Sequence, residues 1–180
     1  PQSDLVRIIN PPQGYMQNCN ISPANMMVDS PLTPDKYRNY IYNVSWDLNN
    51  PRGRRTIELL HNDSSVTRDE AKSYAMDVFD RIAARWQKEL QLAWSEASSK
   101  GTDDEELKRG VASILAWDGY FTREATATNL YKFWRLKCGE RCDLGPMAEG
   151  KQLTIETRSK LLELLRESIQ DLKTRYGKWD

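Results

Sequence analysis

Residues 10–23, Asn-Pro-Pro-Gln-Gly-Tyr-Met-Gln-Asn-Cys-Asn-Ile-Ser-Pro, concentrate neutral amide side chains near the start of the chain. A fixed amide N–H can stabilise the negative charge that gathers on a carbonyl oxygen during acyl transfer, and it does so without adding an ionisable group. Asparagines between prolines can equally satisfy their own backbone in turns. Groups that could attack a carbonyl are scarcer. His61 is the only histidine, so any Ser-His or Cys-His arrangement would rest on it alone; after Leu59-Leu60 it reads as a surface or helix-capping residue. Cys19 adjoins Asn20, but neighbouring residues of an extended strand face opposite ways. There is no glycine-rich phosphate loop and no cluster of metal-ligand spacing. Most carboxylates fall on the polar faces of helices. The chain contains no self-sufficient active site.

The elements that must position these residues differ between the two ends. Residues 1–60 are punctuated by Pro11, Pro12, Pro23, Pro31, Pro34 and Pro51, which leave room for short strands and turns but forbid a long helix. Leu5 to Ile9 and Tyr40 to Trp46 are the candidate strands of this extended arm. From residue 61 to 180 the period becomes helical. Thr67-Arg-Asp-Glu70 is a capping box, followed by Ala71, Tyr74, Ala75, Val78, Ile82, Trp86 and Leu90 as one apolar stripe ending near Gly101. Thr102-Asp-Asp-Glu105 caps a second helix that buries Leu107, Val111, Ile114 and Leu115 despite Gly110. Thr122 caps a third, running to about Lys137. The fourth starts near Thr154 and aligns Ile155, Leu162, Leu165, Ile169, Leu172 and Tyr176. The expected class is mainly α: a lobe of about four helices with an extended, partly β N-terminal arm.

Composition removes some partners. The 180 residues carry 26 basic and 26 acidic side chains, a balance unsuited to a phosphate backbone. No apolar run approaches the roughly 18–20 residues that span a bilayer. Cys138 and Cys142 sit four apart in a turn-like segment, where a local disulfide and two free thiols both remain open. The chain begins at Pro1 and ends on Trp179-Asp180 directly after a helix, so we expect an internal piece of a longer polypeptide.

Four segments in order resemble the penicillin acylases and acyl-homoserine-lactone acylases. Asn10, Pro11, Gly14, Tyr15, Asn20 and Pro23 match the family strand that crosses the active site and lends an Asn amide to the oxyanion hole. The resemblance puts that role on Asn20. Pro51-Arg-Gly-Arg-Arg55 is similar to the Arg-x-x-Arg segment opening the family's next helix; Arg52 is the better match for a residue supporting the Asn, Arg55 the second choice, and a structural ion pair the alternative for either. Leu115-Ala-Trp-Asp-Gly-Tyr120 resembles a packing turn, and Tyr176 to Asp180 the point where relatives run on into further sheet.

These relatives are N-terminal-nucleophile hydrolases. A Ser exposed at a new chain start uses its own α-amine as base, near pKa 8 when unperturbed, and passes through an acyl-enzyme. The resemblance therefore implies an αββα parent that hydrolyses the amide of N-acyl substrates such as a β-lactam or homoserine-lactone derivative. This sequence lacks the nucleophile: Pro1 has no hydroxyl, and the α-amine of Ser22 is tied up in a peptide bond. The fragment alone is expected to be inert. The resemblance implies no cofactor within these residues and at most a calcium ion elsewhere in the parent. It implies as partners the N-acyl substrate and the remainder of the acylase, with neither nucleic acid nor membrane, and a periplasmic or secreted location that would suit a Cys138–Cys142 bridge. Exposed edges of the isolated piece would favour a dimer. The competing reading is a non-catalytic helical module presenting Trp86, Trp94 or Trp134 to a partner protein, or an inactive homologue.

Overall fold

Seven helices and one 3-10 turn organise the residues that the computed structural model describes, 5–37 and 43–180. They fall into two units, Pro1–Asp77 and Val78–Asp180.

The first unit is irregular chain gathered around helix α1, Pro51–His61. Asn50 starts α1 as an extended N-cap, its side chain accepting from Gly53 N, and Pro51 fills the first helical position, where no N–H is needed. Helix α2, Arg68–Ala75, opens on the capping box read from Thr67 and Glu70. It buries no residue, and Tyr74 Oη donates at 2.6 Å to Asp63 in the segment before it. That bond, first among the causes, pushes the phenol of Tyr74 up to about 12, and the same bond with that from Ser65 N holds Asp63 below its ordinary range. The arm runs from a turn closed by Gly14 N to Pro11 O (2.9 Å) through the 3-10 turn Pro23–Asn25. The described part of the arm forms no sheet ladder: Leu5 to Ile9 and Asn43 to Trp46 are unpaired, while Tyr40–Tyr42 lie outside the described residues. A strand needs an edge to pair with, and the described residues of this unit offer none.

The second unit is a packed helical lobe: α3 Ala83–Ser99, α4 Glu105–Ala116, α5 Ala127–Arg141, the single turn α6 Gly145–Ala148, and α7 Ile155–Tyr176. Helix α7 is its axis, packing on α3 and α5 most extensively and on α4. It therefore buries a wider arc than one stripe. Leu161 and Leu164 are as deeply buried as Leu165, whereas the expected Ile155 and Tyr176 are exposed beyond the core. Thr154 caps its start and Gly177, with φ near 78°, closes it. Gly110 has a reason to be small: a Cβ there would meet Ile169 Cδ1 at 2.7 Å, so glycine lets α4 approach α7. Trp86 and Trp134 sit edge to face at 5.3 Å within the core, and Trp94 packs against it partly buried. Both of the paired tryptophans are buried among the core side chains.

Other expectations are corrected. The stripe from Ala71 to Leu90 is two helices, because the chain turns at Met76–Ile82. There Phe79 bridges Tyr120, Phe121 N donates to Val78 O (3.1 Å) and Asp80 N to Gly119 O (2.8 Å). Gly119 adopts φ 89° and has no room for a side chain, since a Cβ would lie 2.8 Å from the Phe79 ring. The cap of α4 is Asp104 rather than Thr102, its carboxylate accepting from Leu107 N at 2.9 Å. Helix α5 starts after Thr126, not Thr122, and continues to Arg141, so Cys138 lies inside a helix and not in a turn. Cys138 and Cys142 are free thiols. Burial pushes both thiols up, which leaves little nucleophilic thiolate.

A cluster of charged groups is built into this lobe around Arg158 and Glu89. Arg158, on the buried side of α7, donates to Leu153 O at 2.7 Å and reaches Glu96, with Glu89 at 3.8 Å. Glu89 in turn accepts from Leu153 N at 3.3 Å. Such pairs are tolerated inside a core only when further hydrogen bonds satisfy them.

Candidate active site

Asn20 occupies the left-handed region, φ 60°, on the surface of the first unit. Asparagine is one of the few residues that enter this region readily. The residues after it are anchored. Ile21 packs where α1 has no side chain, for a Cβ on Gly53 would meet Ile21 Cγ2 at 2.9 Å. Ser22 is fully buried, its N donating to Leu48 O (2.9 Å) and its Oγ accepting from Ser45 N (2.8 Å) and Ala24 N (3.2 Å). Asn25 Nδ2 gathers the carbonyls of Ser45, Trp46 and Leu48 at 3.1–3.2 Å. Ahead of Asn20, buried Gln17 donates from Nε2 to Asn25 O and Gly53 O.

The N-terminal turn of α1 meets Asn20 directly. Arg52 Nη2 donates to Asn20 Oδ1 at 3.0 Å and to Cys19 O at 3.4 Å. A guanidinium has only donors, so the amide oxygen must face it. The Nδ2 group is thereby turned the other way, and Asn20 is solvent-exposed. What remains on offer is one oriented, neutral amide donor beside a fixed positive charge.

Arg55 points elsewhere. Its guanidinium donates to Asp77 at 2.9 Å and to Glu58 at 3.4 Å, an ion pair that is mostly buried on both sides of the Asp77 contact. Of the two arginines, the structure brings Arg52 alone to Asn20. Cys19 does not alternate with Asn20 as in a strand, because Asn20 is left-handed; its Sγ lies 3.5 Å from Thr56 Oγ1. His61, last residue of α1, places Nδ1 at 3.4 Å from Tyr15 Oη, on the exposed end that a capping histidine occupies.

Two residues at this site escaped the sequence reading, Asn50 and Gly53. The signal for Asn50 was present: an Asn directly before Pro is a helix start. The signal for Gly53 was only its smallness at the first turn. Among the described residues no group of three or more His, Cys, Asp or Glu could hold a metal ion, and no helix is long and apolar enough to cross a membrane. A cavity of about 870 Å³ opens in the second unit between Trp86, Tyr131, Leu136 and Met147, with none of Asn20, Arg52 or Arg55 in its wall.

The sequence matches the family model of penicillin amidase over residues 1–179. This chain belongs to the penicillin amidase family.

Proposed function

We propose that this chain is an internal part of an amide-hydrolysing acylase and supplies one oxyanion donor, Asn20 Nδ2, to its active site. The observation carrying the reading is the 3.0 Å bond from Arg52 to Asn20 Oδ1, which fixes which end of the amide faces outward. In acyl transfer, negative charge grows on the carbonyl oxygen as the nucleophile adds and again as water releases the acid. A donor already aimed at that oxygen needs no reorganisation when the charge appears. Arg52 adds to this at a distance: its charge polarises the amide through the oxygen and strengthens the N–H as donor. The nucleophile, the backbone donors and the acyl pocket belong to other parts of the polypeptide, so the 180-residue chain alone is inert. Its natural partners are then those parts and the N-acyl substrate, and export to the periplasm or outside the cell is the location that fits.

The test is hydrolysis of a chromogenic acyl-anilide by the complete polypeptide, with and without Asn20→Ala. Loss of one oxyanion donor lowers turnover about 100–1000-fold while the unfolding midpoint stays put. An active enzyme indifferent to the substitution would place the oxyanion donor elsewhere. A folded but inactive polypeptide would mark a member that has lost its chemistry.

A further inference from the structure

Asn50 does two things at once. Its Oδ1 caps α1 by accepting from Gly53 N at 2.9 Å. Its Nδ2 donates to Cys19 O at 2.7 Å and to Asn20 O at 3.4 Å. Neither end of the amide can be exchanged: Gly53 N is a donor only, and the two carbonyls are acceptors only. Asn50's own N–H is tied to Asn49 Oδ1 at 2.8 Å. The carbonyls on both sides of the left-handed residue are thus tied to the first turn of the helix that also delivers Arg52.

Resting on the reading of Asn20 as oxyanion donor, we propose that Asn50 is a positioning residue for it. Asn50 fixes the main chain of residues 19–20, Arg52 fixes the side chain, and both come from one helical turn. The donor Nδ2 of Asn20 is then located from two directions by a rigid element rather than by its own loop. Ile21 seated over Gly53 prevents the turn from sliding along the loop.

The cap and the clamp can be separated. Asn50→Asp retains an acceptor for Gly53 N but removes the donor and sets an anionic oxygen against two carbonyls. Asn50→Ser also retains a cap and is too short to reach Cys19 O. Both are compared with Asn50→Ala in the complete acylase, measuring acyl-anilide kcat and KM together with the unfolding midpoint. Asn50→Asp and Asn50→Ser are each expected to lower kcat by about 10–100-fold, the scale of a small misplacement of a reacting group. KM changes little in either, and the midpoint stays near that of the unsubstituted enzyme. Asn50→Ala loses activity to the same degree and also lowers the midpoint.

The deciding measurement is the double-variant cycle. Because Asn50 acts through Asn20, adding Asn50→Asp to Asn20→Ala produces no further loss of kcat. A full additional loss in that background would overturn the proposal, and so would an undiminished kcat in Asn50→Asp. Failure of the underlying reading looks different, since Asn20→Ala by itself would then be harmless.

Discussion

The two units solve the same problem, satisfying their peptide groups, by opposite means. Among the described residues of Pro1–Asp77 a minority are helical, and side chains of Gln13, Gln17, Ser22, Asn25 and Asn50 bond to peptide groups. In Val78–Asp180 the helices satisfy themselves, and stability comes from a core running from Ala83 to Trp179. The difference teaches where chemistry can sit. A helical core rewards shape and little else, whereas a polar loop pinned at each carbonyl can hold one amide in a chosen direction on the surface.

The comparison would be broken most forcefully in the helical unit. Trp134 is fully enclosed, with Nε1 donating to Leu161 O at 2.8 Å. Trp134→Ala is expected to lower stability by about 3–5 kcal/mol, read from denaturant midpoints. A loss under about 1 kcal/mol, well short of the cost of emptying a buried aromatic site, would mean that burial is not what sustains this lobe. In the polar unit, Ser22→Ala leaves the N–H groups of Ser45 and Ala24 without their shared acceptor. A loss of about 1–3 kcal/mol is expected, with hydrogen exchange at Ser45 rising first. Exchange that rises evenly over the unit instead would show that the loop is not pinned residue by residue.

The smallest effect is at Asp104, where a polar contact serves the apolar unit. The bond from Leu107 N, then the side-chain bond from Arg166, holds its carboxyl below the ordinary 3.8. A lowered folded value stabilises the protein above the unfolded value, and the stabilisation is lost as pH falls through the folded one. Asp104→Ala should therefore cost about 1 kcal/mol at neutral pH and almost nothing in strong acid. A cost that does not shrink with acid would assign the effect to packing.

Much of the helical unit was legible. The period of Leu107, Val111 and Ile114 and the helix start near Thr154 are local signals, as is the capping box at Thr67 in the first unit, each read within a turn or two of chain. The break at Met76–Ile82 was not, because Ala75, Val78 and Ile82 stay in helical phase. What stops the helix is a bridge from Phe79 to Tyr120, a partner far along the sequence. At the site, Asn20 and Arg52 could be singled out by resemblance and spacing. For Asn50 the cap before Pro51 was a readable signal, but its clamp was not, because it acts on Cys19 and Asn20, well back along the chain. Arg55, the second choice after Arg52, is drawn away from Asn20 by its ion pair with Asp77.

The left-handed backbone at residue 20, φ 60°, narrows what evolution or a library can place there. Aspartate and glycine accept that backbone but carry no side-chain N–H. Glutamine carries the amide but neither favours the backbone nor keeps the reach that Arg52 grips. On the role proposed for Asn20, a saturation library selected for turnover should return asparagine foremost, with histidine, which also tolerates this backbone and carries a ring N–H, its one rival; diversity aimed at new substrates is better placed at positions whose backbone makes no such demand.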